Sequence, residues 1–377
     1  MASAARIEAI DLALYQVPLR TPAGDAKVFT GRQRVLDRVA VLTAGIATTA
    51  GPRGFGFSYA LRAGGPALFA YAQEIAPLLI GEDAGDIERL WDRLAWHGAS
   101  MGRGGLAGQA LAALDIALWD AKARRAGLSL AALLGAHRES VRCYNTSGGY
   151  LTTPAEEAVA NAQASLARGI GGIKLKVGHP DPAVDLRRVA HARATLGDRV
   201  PLMVDANQQW DRPTALRMGR RLEAFDLTWI EEPLDAHDFA GQAALATALD
   251  TPISTGEMLT SVEEHARLLS LGSADILQPD APRVGGITPF LRVAALADQQ
   301  GIAIAPHFVM ELHIHLAAAQ RREPWVEHFD WLEPLFNERL TLRDGRMLVP
   351  AAPGLDLSVS DAAGQWRVAA TTIATPL

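Results

Sequence analysis

Between positions 171 and 178 the chain reads GGIKLKVG, an apolar stretch carrying two lysines, Lys174 and Lys176, two residues apart. In a strand such neighbours face the same way, so Leu175 and Val177 share one side and both ammonium groups the other. Two adjacent cations repel each other unless something anionic stands in front of them. Lysine is also scarce here: the 36 basic residues divide into 32 Arg and 4 Lys, the other two being Lys27 and Lys122. Arginine stays protonated, whereas an amine can lose its proton when its surroundings lower its pKa. Two lysines retained in one apolar strand therefore point to proton chemistry. The competing interpretation is a pair of surface lysines on an edge strand.

Further along, short apolar runs end in polar groups. PLMVDAN ends in Asp205 and Asn207, LTWIEEP in Glu231, TPISTGE in Glu257, ADILQPD in Asp280, GIAIAPH in His307 and PWVEHF in Glu327. Asp205, Glu231 and Glu257 are spaced 26 residues apart, one strand–helix unit each. If their strands are neighbours, about 4.8 Å apart, the three carboxylates can converge on one point. Three converging carboxylates cannot all stay ionised without a cation. Hard oxygen ligands favour Mg²⁺ over zinc, which prefers His and Cys. Taken singly, each acid also reads as a helix cap or a surface charge, and Glu232 reads as a neighbour rather than a ligand.

Asp280 is placed to accept a hydrogen bond from His307, fixing its tautomer and raising its basicity. Lys176 and His307 would then approach a metal-held molecule from opposite sides. That arrangement suits removal of the proton α to a carboxylate. Lys174 and a proton-bearing Glu327 would help Mg²⁺ stabilise the resulting charge. On this reading the anion in front of the lysines is a substrate carboxylate, and the Lys176 amine is ready to take a proton.

The elements that must position these groups follow from periodicity. From about Ser140 onward eight apolar runs alternate with amphipathic stretches such as PAEEAVANAQASLARG, PTALRMGRRLEAF and SVEEHARLLSLG. Eight parallel strand–helix units close a TIM-type (β/α) barrel, whose catalytic groups sit at the C-terminal strand ends. Residues 1–139 read instead as an N-terminal α+β capping domain. It has alternating strands in IEAIDLALYQVPL and RVAVLTAGIATT, and helices near 67–80, 86–97 and 105–126. Residues 140–330 form the barrel, and 331–377, with a hairpin turn at RDGRM, return to the cap. GFGF at 54–57 has the wrong spacing for a dinucleotide loop.

Composition excludes other classes. Apolar residues make up 49%, charged residues 21%, and the net charge is −6, so no nucleic-acid or anionic-membrane footprint is expected. The longest uncharged run, Val39 to Pro52, is too short to span a bilayer, and MASAAR lacks the apolar stretch of a signal peptide. A single cysteine, Cys143, reads as a buried small hydrophobe and fits a reducing cytoplasm. Lys122 reads as a solvated helix charge. His313 and His315, two apart on a helix, face different ways and make no metal pair.

With KLK, VDAN, IEEP, TGE, QPD, APH and the Glu of PWVEHF in order, the chain resembles the mandelate racemase-like subgroup of the enolase superfamily. The absence of any lysine after Lys176 disfavours the branches that place one on the sixth barrel strand. The resemblance implies an acid-sugar dehydratase with Lys176 and His307 as acid/base pair, Asp280 supporting His307, and Mg²⁺ on Asp205, Glu231 and Glu257. It implies substrate contacts from Lys174, Asn207, His307 and Glu327, with Asp25, Lys27 and Arg62 closing over the site from the cap. It further implies a diacid sugar as substrate and assembly of identical copies. A second carboxylate far from the metal needs a cation of its own, and Lys27 and Arg62 lie in Gly-flanked loops suited to a lid. Three other readings stay open: epimerisation or racemisation on the same site, a Schiff-base aldolase using Lys176, and a metal-stabilised barrel without catalysis.

Overall fold

Apolar residues alternate along 7–23 and 36–48, and a computed structural model, which describes residues 5–374, turns both into long strands. They are β1 (Ile7–Ala23) and β2 (Leu36–Thr48), followed by β3 (Gly54–Leu61). Period two divides their side chains cleanly. Ile10, Leu12, Leu14, Leu42 and Ala60 pack against helices Gly65–Ile75, Ile87–His97 and Leu106–Ala126. Tyr15, Val17, Val39, Val41, Phe57 and Tyr59 face the opposite way, into a core shared with Leu277, Phe308 and Leu312 of the barrel. The two glycines of GFGF are steric: a Cβ on Gly54 or Gly56 would run into the backbone carbonyls of Ala117 and Ala113. They let β3 lie directly on helix Leu106–Ala126.

The eight apolar runs form β4 (Ser140–Asn145), β5 (Gly172–Lys176), β6 (Leu202–Asp205), β7 (Ile230–Glu231), β8 (Ile253–Thr255), β9 (Ile276–Leu277), β10 (Ala303–Ile304) and β11 (Trp325–His328). Their parallel ladder runs from β10 through β9, β8, β7, β6 and β5 to β4, and β4 also pairs with β11. Across the seam between β10 and β11, the Phe308 N–H donates to Glu327 Oε2 at 2.9 Å. Below the polar strand ends the interior is filled by Tyr144, Met203, Trp229, Ala305 and Trp325. Tyr144 meets Trp229 edge-to-face at 5.1 Å. This apolar plug leaves the strand ends as the place where polar groups gather.

The segment 331–377 divides. β12 (Leu342–Arg343) and β13 (Arg346–Leu348) form a hairpin through Asp344 and Gly345, both with positive φ, and β13 pairs with β4 of the barrel. β14 (Arg367–Ala374) crosses to the cap, where it pairs with β1 and sets the sheet order β14-β1-β2-β3, while Phe336 packs on Phe55 and Phe57 and the Leu355 N–H donates to Asp120 Oδ1 at 2.6 Å. The tail thus serves both parts, its hairpin adding to β4 of the barrel and its other segments meeting the cap. The start of MASAAR (1–4) and the end of the tail (375–377) lie outside the described residues. Among the described residues no helix is long and apolar enough to cross a membrane.

Candidate active site

Register places the groups. On consecutive strands Lys176 is the Cα partner of Asp205, and Asp205 of Glu231. Glu257 lies just beyond β8 and His307 just beyond β10, while Glu327 is on β11 beside Tyr144 of β4. These side chains are buried, apart from a partly exposed Lys176, yet Lys174, Lys176, Asn207, Glu257, His307 and Glu327 line one cavity of about 600 Å³. Asp25, Lys27 and Arg62 line its other side, from the cap. All the residues singled out from the sequence as site residues are therefore in or directly behind this cavity. Backbone in and next to its lining is conformationally unusual: Arg62 and Asn207 of the lining, and the buried Glu232 and Phe308, all non-glycine, have positive φ. Such backbone costs on the order of 1–3 kcal/mol per residue and is held by surrounding structure.

Lys174, only 1 % exposed, stands 2.5 Å from Glu231 and 2.8 Å from Glu327, with the Tyr144 ring 5.2 Å away. Burial works against its charge, but Glu231 and Glu327 raise its pKa well above the ordinary value. Glu231 also accepts from Trp229 Nε1 at 3.1 Å and Gln278 Nε2 at 2.6 Å. Burial pushes the Glu231 carboxyl upward, yet all its partners are donors, so a proton on it would have no acceptor and it stands here as carboxylate.

For two groups this geometry favours a protonation state other than the expected one. Glu327 was expected to bear a proton. Burial would favour that, but Lys174 and then His307 pull its pKa down to about 2, and Thr146 Oγ1 donates to it at 2.7 Å. Lys176 was expected to be a ready amine. Burial favours that too, but Asp205, hydrogen-bonded to its Nζ, overrides burial and moves its pKa upward. The three acids also do not close on one point as they stand: among the described residues no such cluster forms a metal shell. The lysines occupy Asp205 and Glu231, while Glu257 leans toward Arg283 at 3.7 Å and His307 at 3.6 Å.

On the other wall, His307 Nδ1 lies 2.8 Å from Asp280 Oδ2. Asp280 is fully buried; burial would raise its pKa, but the His307 hydrogen bond and charge hold it below the ordinary value. An ionised carboxylate only accepts, so Nδ1 carries the proton and Nε2 is left toward Glu257 and the cavity. Asp280 is a helix cap as well, since Oδ1 accepts the Arg283 N–H at 2.9 Å. His313 is no ligand: its Nε2 accepts the Ala281 N–H at 3.1 Å and its Nδ1 donates to the Phe308 carbonyl at 3.0 Å. It braces the two loops that carry Asp280 and His307.

In the cap, Asp25 accepts from the Lys27 N–H at 2.8 Å and pairs with Arg62 at 3.3 Å, so its carboxylate is engaged in holding the lid. Lys27 has no ion-pair partner among the described residues. Phe29, on the same short helix, rests edge-on against His179 at 5.2 Å. Several site groups escaped the sequence: Tyr59, Thr146, Gln278, Arg283 and Arg34, the last also lining the cavity. None of them ends an apolar run in a charge, the signal that revealed the others, although Arg283 lies in the APRVGGI stretch that directly follows the QPD motif.

Residues 32–135 match the mandelate racemase/muconate lactonizing enzyme N-terminal domain, and 157–363 match the enolase C-terminal domain-like family. The chain belongs to the mandelate racemase/muconate lactonizing enzyme family of the enolase superfamily. Within that family it is 58% identical over 361 residues, 96% of this chain and 91% of the relative, to L-talarate/galactarate dehydratase of Salmonella typhimurium. A crystal structure of L-talarate dehydratase from Polaromonas sp. JS666, complexed with Mg and L-glucarate, superposes with a TM-score of 0.96 at 62% identity. It covers 99% of this chain and 100% of that one. More distantly, a racemase from Streptomyces coelicolor with bound magnesium matches with a TM-score of 0.92 at 33% identity, covering 96% of this chain and 100% of that one.

Proposed function

We propose that this enzyme is a Mg²⁺-dependent hydro-lyase that dehydrates galactarate and L-talarate to a keto-deoxy hexarate, with epimerisation of the two as a side activity. The observation that carries the reading is the placement of Lys176 and the Asp280–His307 pair on separate walls of one cavity, with three carboxylates on consecutive strands between them.

The donor set fits the metal. Asp205, Glu231 and Glu257 offer hard oxygens, and Glu257 is 7 % exposed with Arg283 and His307 both beyond hydrogen-bond distance of its carboxylate. Asn207 Oδ1 is likewise buried without a partner. When bound, Mg²⁺ neutralises these carboxylates and supplies positive charge to a substrate carboxylate. With Asp205 engaged by the metal instead, the Lys176 amine would be freed, and Lys176 and His307 Nε2 take or return the α proton, one from each face. His307, as imidazolium stabilised by Asp280, gives a proton to the departing β-hydroxyl. Lys174 holds positive charge beside the enediolate that proton loss creates, and Glu327 keeps Lys174 in place. Lys27 offers its uncompensated charge to the distal carboxylate of the diacid, with Arg62 and Asp25 holding the lid around it. We place the enzyme in the cytoplasm as an assembly of identical copies. Cys143, buried and pushed up to about 11 chiefly by burial, is no redox or nucleophilic group.

The test uses exchange in D₂O. Galactarate and L-talarate differ in configuration at one α carbon, so their α protons point to opposite faces. His307→Asn abolishes dehydration of both but leaves Lys176 exchanging the α proton of one; Lys176→Ala leaves exchange only in the other. Exchange of the same epimer by both variants, or of both epimers by His307→Asn, overturns the opposed pair. Product analysis for the keto acid separates dehydration from epimerisation alone.

A further inference from the structure

Tyr59 belongs to the cap, on the face of β3 that period two turns toward the barrel, and none of its surface is exposed. Its hydroxyl lies 2.6 Å from Asp280 Oδ2, the oxygen that His307 Nδ1 also uses, and 3.5 Å from His307 Nδ1 itself. Asp280 is ionised and can only accept, so the phenol donates. Burial holds that phenol firmly protonated, its pKa raised well above the ordinary value.

The ring is held from two sides and the backbone from a third. Phe308 packs edge-to-face on the ring at 4.8 Å, the Arg283 guanidinium lies 5.8 Å from its centroid, and the Tyr59 backbone carbonyl accepts from Gln109 Nε2 at 3.0 Å. Asp280 is therefore clamped at both oxygens, by the Arg283 N–H on Oδ1 and by Tyr59 on Oδ2. Without the hydroxyl, the carboxylate keeps one backbone donor and can turn together with the imidazole it orients.

We infer that Tyr59 is a positioning residue for the proton transfers of His307: the capping domain supplies the hydroxyl that fixes Asp280, and so aims His307 Nε2 into the cavity. Tyr59 sits on the strand that leads into Arg62, the partner of Asp25 in the lid. Docking of the cap therefore bears on one wall of the site, and Lys176, held by Asp205 on the barrel alone, is untouched by it. This inference rests on the opposed acid/base pair proposed above.

Tyr59→Phe removes only the oxygen and keeps the buried ring against Phe308. In D₂O, α-proton exchange of the epimer served by His307 falls about tenfold, the worth of one hydrogen bond to a charged group at its lower end. Exchange of the epimer served by Lys176 stays within about twofold, KM for both is unchanged, and dehydration kcat falls with the His307-face exchange. The His307→Asn variant run in parallel identifies which epimer is which. Wild-type enzyme that exchanges neither epimer defeats the proposed function itself. Wild-type exchange of both, combined with equal slowing on both faces or with no slowing in Tyr59→Phe, overturns the role of Tyr59. Equal slowing with a lowered melting temperature identifies plain structural support instead.

Discussion

Replacing Lys174 with methionine keeps the length of the stem and removes the charge from the middle of the polar layer. In the folded chain the ammonium faces Glu231 at 2.5 Å, Glu327 at 2.8 Å and Asp205 at 4.0 Å. Breaking a buried ion pair from one side costs about 3–5 kcal/mol, because the remaining charge is left uncompensated. Glu327 accounts for much of it. Burial would raise its pKa, yet Lys174 foremost brings it from 4.5 to about 2, a displacement worth roughly 3 kcal/mol. Unfolding entropy of about 2 cal/mol/K per residue makes that a fall in melting temperature of roughly 4–6 °C for a chain of this length. The pH dependence has a definite sign. A carboxylate with a depressed folded pKa contributes stability that is present above its ordinary pKa and lost as pH falls through the folded one. The gap between wild type and Lys174→Met therefore narrows on acidification, and the share that wild-type Glu327 contributes is lost from about pH 4.5 toward 2. Thermal melts in chelator across that range measure it. A gap below about 1 kcal/mol at neutral pH, or one that widens on acidification, refutes the placement of Lys174 between ionised carboxylates.

Chelation abolishes turnover and Mg²⁺ restores it; full activity in excess chelator, with metal content checked, contradicts the donor set. Glu257→Gln weakens Mg²⁺ binding, read by calorimetry, by at least about tenfold while the melting temperature of the chelated protein holds, since among the described residues that side chain has no hydrogen bond to lose. Lys27→Met lowers kcat/KM on galactarate by about 1.5–3 kcal/mol, one charge-assisted hydrogen bond, and spares any monocarboxylate sugar acid that is processed. Equal losses on mono- and diacids show that the lid does not read the second charge.

The barrel was legible in the sequence because its strands are apolar runs that end in charges at the spacing of one strand–helix unit. Asp205, Glu231 and Glu257 obey that rule, and register on adjacent strands makes it a statement about space. The protonation states were not legible, because they depend on which counter-charge each group meets. Lys176 and Glu327 are both moved against the expectation chiefly by one neighbour, Asp205 in one case and Lys174 in the other. Nor does a sequence show that Lys174 and Lys176 divide the acids between them in this geometry.

Tyr59 shows why the rest of the site stayed hidden. In GFGFSYAL a tyrosine is an ordinary strand residue, and nothing local separates a core ring from one whose hydroxyl meets a carboxylate 221 positions away. What settles its direction is the pair of glycines before it. Gly54 and Gly56 bring β3 onto helix Leu106–Ala126 on one face, so period two must send Phe57 and Tyr59 to the other, where the barrel's strand ends lie. Phe57 spends that position on packing against Phe336 at 5.4 Å. Tyr59, one pleat further along, arrives where Asp280 has an oxygen to share. The same two glycines that exclude a nucleotide loop thus carry a cap hydroxyl to the acid/base wall.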